Sequence, residues 1–291
     1  MDNKQSDNHL PYYDAKEYWG KRAKRYGSSY EGWKAVCVIG EWEYKNNYLD
    51  MLQRRAVFNT IREWRGKNVL DLGCGVGRFA LEFARRGAYV TGIDISEEMI
   101  KIAKDNFKRA GLSAQFYVAG IDEMPLLDES FDIVTSITVL QHVTDPDMFL
   151  RSARSMLRVT KSHGQILLLE YAPTTPARFP TDTHMAGRSC SEYVATFEGL
   201  GAVLTEKRGV MIMKLDDWLT KTVHILRSQH GADRRVHEIK RTSTSKIFRL
   251  YRISRKFLIK LSMPFDIHLS PLPLFRNLSD LKLLLFQKEV E

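Results

Sequence analysis

The sequence predicts an α/β layer fold built on a mostly parallel sheet, and three observations carry that reading. From Lys67 to about Lys214, short apolar runs alternate with amphipathic stretches. Three of the four amphipathic stretches stop at a glycine, the residue that most readily ends a helix. A tight glycine cluster joins the first apolar run to the first amphipathic stretch. With 291 residues there is ample chain to bury a core.

Residues 1–66 precede this alternation and read as an N-terminal helical cap. Its segments DAKEYWGKRAKRYG and YKNNYLDMLQRRAVFNTIREW have helical spacing and are rich in aromatics. Residues 67–214 form the α/β domain. Its strands are expected at NVLDL, YVTGID, AQFYV, FDIVTSI, GQILLLE, AVLTEK and VMIMK. The last two have no helix between them, so they predict a terminal antiparallel hairpin. Helices are expected at RFALEFARRG, SEEMIKIAKDNFKRAG, PDMFLRSARSML and SCSEYVATFEGLG. Residues 215–291 read as a basic helical appendage, its second half broken by Pro264, Pro271 and Pro273.

The net charge of +9 is unevenly spread. Lys221 to Lys260 holds twelve Lys/Arg against Asp233 and Glu238, which leaves the remainder of the chain near neutral. Cys37, Cys74 and Cys190 show no CxxC spacing, which gives neither a disulfide framework nor a zinc site and fits a reducing compartment. The first residues, MDNKQSDNHLPYYD, lack the apolar run of a signal peptide, and no run approaches a membrane-spanning length. The expectation is a cytoplasmic protein, at most peripheral to a membrane.

The most informative stretch is Val69-Leu70-Asp71-Leu72-Gly73-Cys74-Gly75-Val76-Gly77-Arg78-Phe79-Ala80. A strand ends, three glycines turn the backbone, and a helix starts, so a ligand can approach near a helix N-terminus. A dinucleotide site wants G-x-G-x-x-G, which would place its third glycine at Arg78. The spacing here is G-x-G-x-G, preceded by Asp71. The next strand ends in Asp94, whose carboxylate can accept hydrogen bonds from two ribose hydroxyls. Asp94 as a helix N-cap is the rival reading, but Ser96, followed by Glu97 and Glu98, is better placed for that role.

VLDLGCGVGRFA, then VTGIDIS, then MPLLDESFDIVTSITVLQHV resembles the motif series of class I S-adenosylmethionine-dependent methyltransferases, nearest in style to the broad type 11 group. The resemblance covers about Lys67 to Lys214, with a looser match at EYWGKRAKRYG. It implies a Rossmann-like, seven-stranded, mostly parallel sheet with helices on both faces. It also implies S-adenosyl-L-methionine as cofactor and S-adenosyl-L-homocysteine as product. In such enzymes the glycine loop, here Asp71, Gly73, Gly75 and Gly77, meets the methionine end, and Asp94 with Ile95 meets the ribose. The family commonly has an aspartate where this chain has Gly120, so Ile121 and Asp122 are expected to frame the adenine instead. Ile137 and Tyr26 complete the implied cofactor set, with Arg22 beside Tyr26 on the first helix. Metal-dependent relatives need a carboxylate near Ile137-Thr138, and its lack predicts no metal.

Methyl transfer needs chiefly an acceptor held in line with the methyl group, with a base only where a hydroxyl must lose its proton. His142, Glu170 and Tyr171 follow strand tips and are the candidate catalytic residues, each with an equally plain structural reading. The loop at 172–189 reads as a lid carrying His184 and Arg188. In the tail, Ile247, Leu250, Tyr251, Phe257, Leu258 and Leu261 fall on one helical stripe. That stripe either packs on the enzyme domain or, through residues 246–262, lies on an anionic membrane. The expected activity is metal-independent methyl transfer to a hydroxyl, amine or carbon of a small molecule, glycan or lipid-linked metabolite. The rivals are an RNA methyltransferase using the basic tail, disfavoured because base-stacking aromatics are few, and a non-catalytic S-adenosylmethionine-binding module.

Overall fold

Apolar runs buried on both faces become the central strands of a seven-stranded sheet. The computed structural model describes residues 13–27, 30–36, 38, 43–179, 184–211 and 246–289. The strands are β1 (Asn68–Leu72), β2 (Tyr89–Asp94), β3 (Gln115–Val118), β4 (Phe131–Ile137), β5 (Thr160–Tyr171), β6 (Ala202–Met211) and β7 (Leu281–Lys288). The helices are α1 (Ala15–Tyr26), α2 (Glu43–Thr60), α3 (Arg78–Arg85), α4 (Glu97–Ala110), α5 (Pro146–Val159), α6 (Cys190–Glu198) and α7 (Lys246–His268).

The strand order is β3-β2-β1-β4-β5-β7-β6. The five strands from β3 to β5 are parallel, and β7 runs antiparallel to both of its neighbours. Parallel neighbours need crossovers, and α3, α4 and α5 supply them. One apolar layer packs Phe149, Met156, Tyr193 and Phe197 against Ile166 and Leu168. A second packs Val57, Trp64, Phe83 and Phe107 against Val69, Ile133 and Leu167. Because β1 lies between β2 and β4, the chain leaves it in opposite directions, which opens a crevice at the carboxyl ends of those strands.

Three sequence expectations need correction. AVLTEK and the start of VMIMK are not a hairpin but one strand, β6, whose partner is the distant β7; Ile212 to Lys214 lie outside the described residues. The sheet therefore extends past the boundary expected at 214, because the apolar run Leu283–Phe286 is buried between β5 and β6. The tail also carries α7, which continues through Pro264 to His268. Pro264 is exposed, so water can satisfy the carbonyl that the proline ring leaves without a donor.

Helix α7 packs on α2 and β6 through Ile259, Met263 and Ile267. The hydroxyl of Tyr48 donates to the buried Asp266 carboxylate, tying α7 to α2. Of the apolar stripe expected to pack on the domain or lie on a membrane, two described members face outward. Phe257 and Leu261 are exposed and Leu258 is half-buried, while the side chains of Ile247, Leu250 and Tyr251 lie outside the described residues. The basic stretch from Lys221 to Ser245 lies outside them too.

Candidate functional site

The glycine loop leaves β1 with a left-handed backbone. Gly73 has φ +56°, and a Cβ there would stand 2.6 Å from the Val139 side chain. Gly75 has φ +55°, and its N–H donates to Asp94 Oδ2 at 2.9 Å. Asp94 Oδ1 accepts the Ser96 N–H at 2.9 Å, while Ser96 Oγ caps α4 by accepting the Met99 N–H. Ser96 is thus the helix cap, and the carboxylate of Asp94 lines the cavity instead. Each oxygen has a second acceptor direction left for a ligand. Burial pushes the Asp94 carboxyl up to about 6. Asp71 accepts from Thr135 Oγ1 at 3.0 Å, and burial pushes it up to about 7.

These groups line a cavity of about 820 Å³ over the carboxyl ends of the strands. Asp71, Gly73, Gly75, Asp94, Ile95, Ile121, Asp122 and Ile137 all reach it. Gly77 and Tyr26, expected with them, do not. Gly77 has φ +81° at the start of α3, and a Cβ there would meet Ala103 at 3.3 Å, so its smallness serves helix packing. Tyr26 packs instead beside Ala23, Val76 and Met99. Its neighbour Arg22 does line the cavity, its guanidinium 4.9 Å from the Trp19 ring.

The missing side chain at Gly120 has a local replacement. A Cβ at Gly120 would stand 2.8 Å from Asp122 Oδ1, so the Asp122 carboxylate fills the space that a residue at 120 would use. Both residues line the cavity.

The turn after β4 is fixed from behind. Glu170 is buried and accepts from Ser136 Oγ at 2.7 Å and from the N–H groups of Val139, Leu140 and Gln141 at 3.1 Å each. Burial still pushes its carboxyl up to about 7. Thr138 is driven to φ +58°, a rare conformation for a β-branched residue. Arg188 donates to the carbonyls of Leu140 and Val143, so it braces the same turn. Tyr171 donates its N–H to Gln141 Oε1, and its ring meets Phe179. Glu170 and Tyr171 therefore stand outside the cavity as supports, against the expectation that they act on the acceptor. Gln141 and His142 project into it.

His142 sits in an aromatic cluster that joins α1 to the loop after β5. Its ring stacks on His184 at 5.1 Å and meets Trp19 edge-on at 5.0 Å, and His184 in turn stacks on Tyr18 at 4.6 Å. His142 Nδ1 donates to the His184 carbonyl at 2.7 Å, which places the lone pair on Nε2, near Gln141. Desolvation pushes the imidazole down to about 4, reinforced by His184 and Arg22, so it is neutral at pH 7. Residues 180–183 of this loop lie outside the described residues.

A further wall escaped the sequence reading. Asn46, Leu49, Asp50 and Gln53 of α2 line the cavity. Arg78 donates to Asp50 at 2.7 Å and to Gln53 at 2.8 Å, and lies over the Phe79 ring at 4.4 Å. The signal was present as polar residues at helical spacing, 46, 50 and 53, along one face of the helix expected at YKNNYLDMLQRRAVFNTIREW. Among the described residues, no group of three His, Cys, Asp or Glu could hold a metal ion.

Residues 70–168 match the family model described as a methyltransferase domain. The ubiquinone biosynthesis O-methyltransferase of Xanthomonas euvesicatoria is 35% identical over 127 residues, which is 43% of this chain and 52% of that relative. The enzyme of the same name from Rhizobium leguminosarum is 39% identical over 97 residues, 33% of this chain and 38% of its own. The chain thus matches about half or less of the length of these curated relatives. The cyclase SpnF shares the fold at TM-score 0.56 and 21% identity, covering 88% of each chain. A phosphoethanolamine N-methyltransferase of Haemonchus contortus, solved with S-adenosylhomocysteine, superposes at TM-score 0.53 and 14% identity over 69% of this chain and 47% of that one. With the glycine loop, the Asp94 carboxylate and the strand order in place, the chain carries a class I S-adenosylmethionine-dependent methyltransferase domain.

Proposed function

We propose that the chain transfers the methyl group of S-adenosylmethionine to a hydroxyl of a planar small molecule, without a metal. One observation carries this reading: a single cavity is lined both by the glycine loop and Asp94 and by the Tyr18–Trp19–His142–His184 cluster. Its volume of about 820 Å³ lies in the range of small-molecule sites. The aromatic walls favour a flat acceptor. The O-methyltransferase names of the partial relatives favour oxygen over nitrogen or carbon.

The residues fit the cofactor. Asp94 keeps acceptor directions for two hydroxyls, and Gly73 and Gly75 supply the left-handed turn that carries the loop along the cavity. Asp122 and Ile121 would hold the adenine. When bound, S-adenosylmethionine supplies an electrophilic methyl group on a sulfonium and departs as the neutral thioether S-adenosylhomocysteine. The aromatic cluster orients the acceptor and excludes water from the displacement. His142 Nε2, which faces the Gln141 side-chain amide at 3.3 Å, would exchange that partner for the acceptor's hydroxyl and take its proton as that oxygen is methylated. Desolvation keeps His142 neutral at pH 7, so its ring can face an acceptor hydroxyl as an uncharged hydrogen-bond partner.

The test is calorimetric titration of the purified protein with S-adenosylmethionine and S-adenosylhomocysteine, then transfer of a labelled methyl group to a series of phenols. The wild type binds both ligands, Asp94→Ala weakens both by about tenfold or more, and His142→Ala keeps cofactor affinity while losing turnover. No binding by the wild type overturns the cofactor assignment. Binding without transfer to any phenol overturns the acceptor class.

A further inference from the structure

Among the described residues, thirteen large apolar side chains are exposed, and seven of them fall between Ile253 and Leu278. Such crowding is unlike the scatter expected on an ordinary soluble surface. On α7 the exposed members are Ile253, Phe257, Leu261 and Phe265, each four residues after the last, so they form one slowly drifting stripe. Phe257 is 64% exposed. The stripe lies opposite the face that packs on the domain, where Ile259, Ser262 and Asp266 are buried. The turn after the helix extends it with Leu274, which is 82% exposed, and Leu278.

Charge identifies the occupant. Lys256 and Lys260 are exposed and flank the stripe on one side. The chain from Lys221 to Lys260 carries twelve Lys/Arg and two acidic residues, whereas the rest of the protein is near neutral. An apolar stripe flanked by Lys256 and Lys260, in a stretch of sequence that holds the chain's positive charge, matches a surface with apolar depth and an anionic face. A second copy of this chain would bring the same positive charge against itself. We propose that the outward face of α7 and the turn after it dock on anionic lipid membranes. The apolar side chains enter the headgroup boundary, and Lys256 and Lys260 meet the phosphates. No helix among the described residues is long and apolar enough to cross a membrane, so this is contact at the surface.

The test is co-sedimentation of the full chain with vesicles of phosphatidylcholine alone and of phosphatidylcholine mixed with phosphatidylglycerol, across a salt series. Binding is expected only to the mixed vesicles and falls as salt rises. Phe257→Ser with Leu261→Ser, which keeps the charge and disturbs no buried contact, weakens binding roughly tenfold. Lys256→Glu with Lys260→Glu weakens it and flattens the salt dependence. The idea is overturned if the wild type stays in solution with anionic vesicles at low salt, or if the serine variant binds as the wild type does. It is also overturned if size-exclusion chromatography shows a dimer that the serine variant dissociates while vesicles capture neither form. None of these readouts depends on methyl transfer, so the proposal stands or falls apart from the proposed activity.

Discussion

The carboxylate of Glu170 accepts the backbone N–H of Gln141 at 3.1 Å, one residue before His142. A group at the tip of β5 thereby sets where a side chain after β4 points. With Ser136, Val139 and Leu140 also donating to it, Glu170 works through the turn rather than on the acceptor. Glu170→Ala strands three amide groups and a hydroxyl in the interior, and is expected to cost roughly 3 kcal/mol or more of stability. Urea unfolding measures this directly. Glu170→Gln keeps an acceptor oxygen and costs less. Wild-type stability in Glu170→Ala would show that the turn holds itself and would return Glu170 to the list of catalytic candidates.

Gly73 and Gly77 share a motif but not a role. Gly73→Ala demands a left-handed alanine and drives its Cβ into Val139, so cofactor binding is expected to collapse and stability to fall by about 2 kcal/mol. Trimming the neighbour, as Gly73→Ala with Val139→Ala, recovers part of both. Gly77→Ala faces Ala103 and Phe107 instead, so it lowers the melting temperature while cofactor affinity stays near wild type. Calorimetry paired with thermal melting separates the two. Equal loss of affinity at both positions would place Gly77 against the ligand after all.

Asp122 stands in for a side chain at position 120, and the substitution is reversible by design. Asp122→Ala is expected to weaken S-adenosylmethionine binding roughly tenfold through a lost charge-assisted hydrogen bond. Adding Gly120→Asp to Asp122→Ala rebuilds the carboxylate in the space left empty, and affinity returns most of the way. If the double variant binds no better than Asp122→Ala, the carboxylate does not serve the adenine.

What the sequence made legible was local. The strand–glycine–helix join and the Ser96 cap depend on residues within about a turn of one another and were readable as spacing. Asp94, by contrast, was readable by its place at a strand tip, although its Gly75 partner is nineteen residues away. Leu283 to Phe286 shows the limit. A short apolar run buried on both faces has no period of its own, and its partners, β5 and β6, lie over seventy residues away in the chain. Glu170 shows another, because its partners follow from the register that sets Ser136 beside Leu168 and Ile137 beside Leu169. On α7 the sequence period through Phe257, Leu258 and Leu261 did not mark the covered face, which is set by Ile259, Ser262 and Asp266, one of them a carboxylate and one a hydroxyl.

Buried carboxylates give the protein and its complex opposite responses to pH. Burial raises Asp94 to about 6 and both Asp71 and Glu170 to about 7, all above the values they have in an unfolded chain. A folded state that holds these protons more tightly is stabilised below about pH 4 relative to neutral pH, and the advantage is lost as pH rises through 6 to 7. The unliganded protein is therefore expected to melt at falling temperature over that window. Cofactor binding is expected to have the reverse sign, because on the proposed reading an ionised Asp94 accepts two ribose hydroxyls. Affinity for S-adenosylmethionine should rise with pH and level off above about 6, losing about tenfold for each unit below it. Melting curves from pH 4 to 8, with and without the cofactor, should therefore diverge as pH rises. Asp94→Asn removes the charge that the cofactor needs and should abolish the divergence near pH 6. Parallel curves for the wild type would mean that the ribose carboxylate is ionised throughout, and that its depth in the fold is offset by the amides of Gly75 and Ser96 alone.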